Sequence, residues 1–369
     1  MSGSFHLIRP EVQGLSPYNA GLTLAEVKAR HDPPRIAKLG SNENPLGPSS
    51  KVDALAGELR ALARHYPDPS GTALAAAIAE AFSLMPGQVI LGNGSEDLIA
   101  VICRTVLRPG DRVVTLYPSF PLHEDYAAIM GARVERVGLN DDLTIDVDKL
   151  LSVVRAPARM VIFSNPMNPV GSWLDPAALG RVVDALHPDT LLVVDEAYAE
   201  YATGEDYSSA LSLLEGGTRP RIVLRTFSKA YGLAGFRIGF GLVSEPGLRA
   251  YLDRARTPFN TNALAQAAAR VALGDTEHLA RVVALAVSER QRVSERLAAM
   301  GLRTAPSKGN FLFVDMGGDA AAVSEKLLRH GVIVKPWRQE GYRSFMRVTV
   351  GSREENDHFL EALGAVREP

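Results

Sequence analysis

Short apolar runs alternate with helix-like segments from about residue 50 to residue 262, and this alternation limits the possible folds. The runs are rich in Val, Ile and Leu and lack regular polar alternation. Strands of this kind are typical of a parallel sheet that helices cover on both faces. The sequence therefore predicts an α/β fold with a large, mostly parallel sheet. The predicted strands are 89–91, 112–116, 133–137, 160–163, 191–194, 221–224 and 238–243, and the predicted helices are 73–82, 97–107, 122–130 and 176–186.

The pattern changes after residue 262, which predicts a second, smaller domain. An Ala-rich helical stretch ends at Gly274, another covers 276–300, and the remainder alternates short strands with helices, so an α+β unit is expected over 263–369. Residues 46–262 then form the large domain. Residues 1–45 hold turns and one predicted helix at 23–30, which favours an N-terminal arm that joins the small domain or a subunit interface. The predicted small-domain elements are strands 311–315, 332–335 and 346–350, and helices 320–330 and from 352.

Composition and charge exclude several classes of function. The 369-residue chain has a net charge of -2 and so lacks the basic footprint of a nucleic-acid-binding protein. Its one cysteine, Cys103, excludes a disulfide within the chain and lies in an apolar run, which is typical of a structural thiol. The eight histidines lack metal-ligand spacing, so no metal site is expected. No run reaches membrane-spanning length, so no membrane partner is expected and the cytoplasm is the predicted location.

A lysine lies between the predicted strand 221–224 and a glycine-rich turn. The amine of this residue, Lys229, could form a Schiff base with a carbonyl, and the aldehyde of pyridoxal phosphate is the obvious candidate. The hydroxyls of Thr226 and Ser228 and the guanidinium of Arg237 would then suit the phosphate group. A solvated lysine in an ordinary strand–turn–strand would explain this stretch equally well.

Two carboxylates and a tyrosine follow the apolar run 191–194. Ligands of open parallel sheets bind at the carboxyl ends of strands, so the position favours a functional role. We assign Asp195 to the pyridine nitrogen of the cofactor, where an anion strengthens the ring as an electron sink, and Tyr198 to the ring hydroxyl. A metal-binding acidic pair of the Walker B kind is the alternative, but the chain has no GxxxxGK stretch.

Polar or aromatic groups follow three other predicted strands. In the stretch 164–171, two Asn-Pro pairs predict a rigid turn whose amide could bind the cofactor's phenolic oxygen. In 92–97, backbone amides at a helix start could cradle a phosphate. In 117–120, an aromatic ring could stack on the pyridine ring, although core packing would explain either aromatic.

An arginine, Arg347, interrupts the apolar strand predicted at 346–350. A buried arginine needs an anionic partner, so a carboxylate or phosphate of a ligand is the favoured explanation. Lys335 and Arg338 lie upstream and could add positive charge. For these two residues a solvated surface position is an equally good interpretation.

The order of these motifs resembles one protein family over nearly the whole chain. NGSED, YPSF, NPMNPVG, DEAY and TFSKAYGLAGFRIG occur in this order, together with SNENPLGP and RVTVG. The chain is thereby similar to fold-type-I pyridoxal-phosphate aminotransferases and, within them, to the histidinol-phosphate aminotransferases. The resemblance implies an aspartate-aminotransferase-like fold and a homodimer whose active sites lie at the subunit interface.

The resemblance also implies a role for individual residues. Lys229 would carry the cofactor, Asp195 would bind its pyridine nitrogen, and Phe120 would stack on its ring. The ring oxygen would be held by Asn168 and Tyr198. The phosphate would be held by the amides of Ser95 and Glu96, by Thr226, Ser228 and Arg237, and by Tyr66 of the neighbouring subunit. The substrate would be bound by Arg347, Tyr18, Asn310 and Lys335.

The activity that the resemblance implies is transamination between L-histidinol phosphate and 2-oxoglutarate, giving imidazole acetol phosphate and glutamate, in histidine biosynthesis. An aromatic amino-acid aminotransferase and a phosphothreonine decarboxylase would share the cofactor residues. A non-catalytic pyridoxal-binding regulator ranks lower, because no basic helix-turn-helix precedes the fold. The chain departs from the family pattern at Lys335, where an arginine is common, and at Met167 and Val170. A lysine at 335 replaces a two-pronged phosphate contact by a point charge.

Overall fold

A large mixed sheet organises the first two thirds of the chain. The computed structural model describes residues 4–214 and 219–367, and within them this sheet has seven strands in the order β2-β8-β7-β6-β5-β3-β4. The strands are Val89–Gly92 (β2), Arg112–Leu116 (β3), Arg133–Val137 (β4), Met160–Ser164 (β5), Leu191–Asp195 (β6), Arg221–Thr226 (β7) and Gly239–Val243 (β8). Five of them, β4-β3-β5-β6-β7, pair in parallel, and β8 runs antiparallel to β7 and β2. The predicted α/β class and mostly parallel sheet are confirmed.

Helices cover both faces of the large sheet. Alternate residues of one strand enter different apolar clusters: in β5, Val161 and Phe163 pack on one side, and Met160 and Ile162 on the other. This two-residue alternation explains why the strands lack polar positions. The helices of the chain are Pro10–Gln13 (α1), Leu24–His31 (α2), Leu59–Leu62 (α3), Thr72–Ala81 (α4), Ser95–Val106 (α5), Pro121–Ile129 (α6), Val147–Val154 (α7), Pro176–Ala185 (α8), Pro246–Ala255 (α9), Ala263–Leu273 (α10), Thr276–Ala299 (α11), Ala320–Arg329 (α12) and Arg353–Arg367 (α13).

The edge strand β4 corrects one expectation. Its sequence was predicted to be covered on both faces, yet three of its five residues are exposed. The strand pairs only with β3 in the sheet, and Glu135 forms a surface ion pair with Arg112 at 2.6 Å. The sequence did not predict helices α7 and α9, which the structure contains. The Pro246 at the first position of α9 is a start signal that sequence reasoning could have used.

A second, antiparallel sheet lies in the C-terminal part of the chain. Its strand order is β12-β13-β10-β9. These strands are Arg303–Thr304 (β9), Phe311–Asp315 (β10), Lys335–Pro336 (β12) and Phe345–Thr349 (β13). The single strand expected at 332–335 is wrong, because two short strands occupy this stretch and join different sheets.

The N-terminal segment joins this C-terminal part. Ala37–Lys38 (β1) pairs in parallel with Val332–Ile333 (β11), and Ala37 and Leu39 enter an apolar cluster made otherwise of residues from 293 onwards. This packing supports the proposal that the N-terminal arm joins the small domain; the boundaries at residues 45 and 262 stay a prediction. Within the described ranges, no helix is long and apolar enough to cross a membrane, and no acidic, histidine or cysteine cluster could hold a metal ion.

Candidate active site

A cavity of about 400 Å³ opens at the carboxyl edge of the parallel strands. One wall consists of residues that follow strands of the large sheet, and the other comes from the N-terminal segment and from β12 and β13. Most of the residues predicted for the site line this cavity. They are Tyr18, Ser95, Glu96, Phe120, Asn168, Asp195, Tyr198, Thr226, Ser228, Lys229, Arg237, Lys335 and Arg347.

The lysine at the centre of the cavity follows β7 by three residues. The Lys229 amine donates a hydrogen bond of 2.8 Å to the carbonyl of Ser41 and lies 5.8 Å from the ring centre of Tyr198. Burial, and next the positive charge of Arg347, lower the pKa of Lys229 from 10.5 to about 7. A large fraction of the amine is therefore neutral near neutral pH, as a nucleophile or a base requires. The interpretation of Lys229 as a solvated surface residue does not agree with this placement.

A histidine that the sequence interpretation missed holds the central carboxylate. Asp195 ends β6, and its Oδ2 lies 3.1 Å from Nε2 of His123 in α6, while its Oδ1 accepts from the amide of Ala197. Both side chains are buried. The bonds fix the carboxylate at the floor of the cavity. The position of His123, three residues after Phe120, was the available signal, because the first turn of a helix that begins at the sheet edge faces the same cavity.

The neighbouring carboxylate has a structural partner. Glu196 is fully buried and accepts a hydrogen bond of 2.9 Å from Nε of Arg225, which also pairs with Glu200 at 2.9 Å. A buried acidic residue that is neutralised in this way is not available as a metal ligand. The acidic pair at the end of β6 therefore does not form a metal site of the Walker B kind.

The start of α5 provides a cradle for an anion. Gly94 has a φ of +80° and no side chain caps the helix, so the first-turn amides, among them those of Ser95 and Glu96, point to the cavity. A Cβ on Gly94 would lie 2.7 Å from Nη2 of Arg237, so a larger residue would displace the guanidinium from this position. Across the cradle, the hydroxyl of Thr226 lies 3.0 Å from that of Ser228. The set combines amides, hydroxyls and a guanidinium, as a phosphate group requires.

A buried arginine in the second wall of the cavity has no acidic partner among the described residues. Arg347 in β13 donates hydrogen bonds of 2.8 Å to Oδ1 of Asn168 and to the carbonyl of Gly40. In the described part of the chain no carboxylate pairs with it, and its Nε has no hydrogen-bond partner. Burial lowers the pKa of Arg347 from its usual value. A buried cation with spare hydrogen-bonding capacity is suited to an anionic group of a ligand.

A lysine and two aromatic rings lie beside this arginine. The Lys335 amine donates to the carbonyl of Asn19 and lies 5.8 Å from the ring centre of Tyr18, which meets Phe120 edge-on at 6.4 Å. Burial, and next the charge of Arg347, lower the pKa of Lys335 to about 8. Lys335 is thus partly buried in the cavity wall, and a solvated surface position does not describe it.

Two predicted residues do not line the cavity. Asn310 is buried behind it and donates to the carbonyl of Asn42 at 3.2 Å. Tyr66 is 83% exposed and stacks on Phe259 at 4.7 Å, and neither ring lines the cavity. A contact of Tyr66 with a neighbouring subunit stays a prediction, as does a direct substrate contact of Asn310.

The segment 40–42 is a second feature that the sequence interpretation missed. The sequence predicts only turns here, yet the first two carbonyls of the segment accept from Arg347 and Lys229, and the Asn42 amide donates to the hydroxyl of Tyr198 at 3.0 Å. Asn42 also has a φ of +54°, which is uncommon for a residue other than glycine. The strained backbone could not be read from the sequence.

Comparison with known proteins agrees with this geometry. Residues 34–363 match the family model described as aminotransferase class I and II. The chain belongs to this family. Two similar curated proteins are histidinol-phosphate aminotransferase 1 of Mesorhizobium japonicum, 60% identical over 98% of this chain and 99% of the relative, and histidinol-phosphate aminotransferase 3 of Rhizobium meliloti, 58% identical over 97% of each.

A solved structure extends this comparison to the fold of the aminotransferase. Histidinol-phosphate aminotransferase from Sinorhizobium meliloti, solved in complex with pyridoxal-5'-phosphate, has a TM-score of 0.88 and 32% identity, and the match covers 98% of this chain and 99% of that one. The predicted aspartate-aminotransferase-like fold is thereby confirmed. The donor set of the cavity fits the cofactor: an anion cradle at α5, a lysine at the centre and a carboxylate at the floor.

Proposed function

We propose that the protein is a pyridoxal-phosphate-dependent aminotransferase that exchanges an amino group between L-histidinol phosphate and 2-oxoglutarate, giving imidazole acetol phosphate and glutamate. The observation that carries the choice of substrate is the full-length match, at 60% identity, to a protein named histidinol-phosphate aminotransferase 1. The expected pathway is histidine biosynthesis.

The chemistry follows from the placement of the side chains. Bound pyridoxal phosphate supplies an electron sink for the electrons released when a proton leaves Cα of the amino donor. The Lys229 amine, with its lowered pKa of about 7, would take this proton from Cα and pass it to the cofactor carbon that is bonded to the exchanged nitrogen. The Asp195 carboxylate lines the cavity, where its negative charge would keep the ring nitrogen protonated. Asn168 and Tyr198 would hold the ring oxygen.

The substrate end explains why one site accepts two kinds of molecule. Glutamate carries a carboxylate and histidinol phosphate a phosphate, and both are anions. Arg347 has no protein anion beside it within the described residues, and Lys335 adds a second cation to the same wall. Either substrate would neutralise this pair of charges. The lysine gives a single point charge rather than a fork, so its contact with phosphate is less directional.

We further propose a homodimer that works in the cytoplasm. The homodimer is supported by the exposed, stacked rings of Tyr66 and Phe259, which leave an aromatic surface available to a second copy. The partners of the enzyme are then small amino and keto acids and a second copy of the chain. Analytical ultracentrifugation of the purified holoenzyme would test the dimer.

A panel of acceptors tests the substrate assignment. With glutamate as the amino donor, imidazole acetol phosphate is expected to react with a higher kcat/KM than phenylpyruvate. An equal or lower value would favour an aromatic amino-acid aminotransferase. Carbon dioxide release from phosphothreonine would instead identify the decarboxylase. Absence of amino transfer to every acceptor would refute the proposed function.

A further inference from the structure

Asn42 lies at the meeting point of the N-terminal segment, β13 and the cavity. Its backbone N–H donates to Oγ1 of Thr349 at 2.9 Å, and the same hydroxyl donates to Oδ1 of Asn42 at 3.0 Å. The side chain of Asn42 is fully buried. Two bonds to one residue of β13 therefore fix both the position and the rotation of this amide.

The fixed rotation decides which end of the amide meets Tyr198. Because Oδ1 accepts the only proton of the Thr349 hydroxyl, the NH₂ group is the end that faces the phenol. The Asn42 Nδ2 accordingly donates to the Tyr198 hydroxyl at 3.0 Å. A phenol oxygen that accepts from the amide still has its own proton to donate elsewhere.

Packing leaves the hydroxyl proton as the only free coordinate of Tyr198. The side chain is buried, and its ring meets Phe311 edge-on at 4.9 Å, which restrains the ring. The phenol lines the cavity beside Asn168 and Lys229. A donor on the Asn42 side repels the phenol proton from that side, and the proton is directed into the cavity.

We propose that Asn42 is a positioning residue that directs the hydroxyl proton of Tyr198 into the cavity, toward the ring oxygen of the bound cofactor. This inference rests on the proposed function, because it needs a cofactor with an oxygen at that place. Asn42 acts through Tyr198 and does not itself line the cavity.

Burial keeps the hydroxyl of Tyr198 protonated. Burial raises its pKa to about 12; the charge of Arg347 and the bond from Asn42 oppose this rise, and Asp195 and Tyr18 add to it. The Lys229 amine faces its ring. The hydroxyl is therefore a donor throughout the neutral pH range. Its protonation does not change there, so the contact with Asn42 matters for the direction in which the O–H group points.

Two substitutions separate positioning from simple packing. Asn42→Gly removes the amide but tolerates the φ of +54°, whereas Asn42→Asp keeps the shape and the acceptor for Thr349 but turns the NH₂ group into an acceptor. A carboxylate there would draw the Tyr198 proton away from the cavity. We expect Asn42→Gly to lower kcat about tenfold, the size of one hydrogen bond at a reacting group, with a KM change below about twofold. Asn42→Asp is expected to lower kcat further.

If Asn42 served only packing, Asn42→Asp would keep a higher kcat than Asn42→Gly, because aspartate fills the space that glycine leaves empty.

The second measurement is the pH at which the visible absorption of the resting holoenzyme changes. We expect this pH to shift in both variants. In a Tyr198→Phe background the shift and the loss of kcat caused by either substitution are expected to disappear, because the proton that Asn42 directs is absent.

Asp32→Gly is the matched control. Asp32 is exposed, does not line the cavity and has a φ of +40°, so it reports the cost of glycine at a left-handed position without touching Tyr198. The inference is overturned if Asn42→Asp is more active than Asn42→Gly, or if either substitution acts equally in the Tyr198→Phe background. Failure of the proposed function is distinct, because the unsubstituted enzyme would then transfer no amino group.

Discussion

The two walls of the cavity are built in different ways. The strand-end wall comprises residues that end strands of the large sheet or directly follow them, such as Asp195, Thr226, Ser228 and Lys229. The crossing wall comprises Tyr18, the segment 40–42, Lys335 and Arg347, which meet across the fold. The bond between Arg347 and Gly40, for example, joins residues 307 positions apart.

This difference separates side chains that are placed by adjacent residues of the chain from side chains that are placed by contacts between distant segments. Side chains at the end of a parallel strand are placed by the sheet itself, and we propose that the strand-end wall holds the groups that serve the cofactor. The crossing wall depends on how the N-terminal segment packs on the C-terminal sheet, and it holds the groups suited to the substrate. A change in the first wall should stop the chemistry, and a change in the second should alter substrate preference.

The largest effect is expected for Lys229→Ala. Loss of the amine removes both the attachment point and the base, so kcat should fall by more than about 10⁴-fold. Borohydride reduction followed by mass spectrometry should find no cofactor attached to the variant. The exposed Lys326→Ala serves as the control and should keep both properties. An active Lys229→Ala enzyme with attached cofactor would contradict the proposal that the strand-end wall serves the cofactor.

Asp195→Ala should come next. The variant is expected to bind the cofactor but to lose about 10²- to 10³-fold in kcat, because the charge that stabilises the ring is gone. The exchange of the Cα proton of glutamate for deuterium, followed by NMR, measures this step directly. Asp189→Ala, at an exposed position just before β6, is the comparison variant. Normal exchange in Asp195→Ala would contradict the assigned role.

Arg347→Gln tests the crossing wall. The substitution removes a buried cation, and kcat/KM should fall about 10- to 100-fold for glutamate and for histidinol phosphate alike. Cofactor content, measured after alkaline release, should stay unchanged. Loss of the cofactor instead would show that the two walls are not separable.

Lys335→Gln should have a smaller and more selective effect. Removal of one partly buried point charge is expected to raise KM for histidinol phosphate about 5- to 10-fold. Phenylalanine, which has no phosphate, should be affected less. Steady-state kinetics with both donors make the comparison. Equal effects on the two donors would mean that Lys335 does not distinguish a phosphate.

The smallest expected effect is a shift in the pH dependence of cofactor attachment, through which Arg347 in the crossing wall acts on Lys229 in the strand-end wall. The free Lys229 amine has a pKa of about 7, so it is mostly protonated below this value and mostly neutral above it. Cofactor attachment to the cofactor-free enzyme needs the neutral amine, so its rate should rise with pH and level off above about 7. Arg347 is one cause of the lowered pKa, because its charge opposes a second cation. In Arg347→Gln the midpoint should therefore move to higher pH, and an unchanged midpoint would contradict this coupling.

The sequence supported most of the fold and the strand-end wall. Periodicity placed the strands 112–116, 133–137 and 311–315, and the motifs after the strands supplied Asp195, Lys229 and the α5 cradle. It failed at the exposed faces of β4, because position within a sheet is a tertiary property. It missed α7 and α9, which join elements that were themselves placed correctly.

What the sequence by itself determined is the class of fold and which side chains stand at the ends of its strands, since both follow from local periodicity and from residues adjacent along the chain. The tertiary structure alone placed His123 on Asp195, the Ser41 carbonyl on Lys229 and Asn42 on Tyr198. These contacts join residues 72, 188 and 156 positions apart. No local pattern encodes such distances, because they arise only when helices and the N-terminal segment pack against the finished sheet.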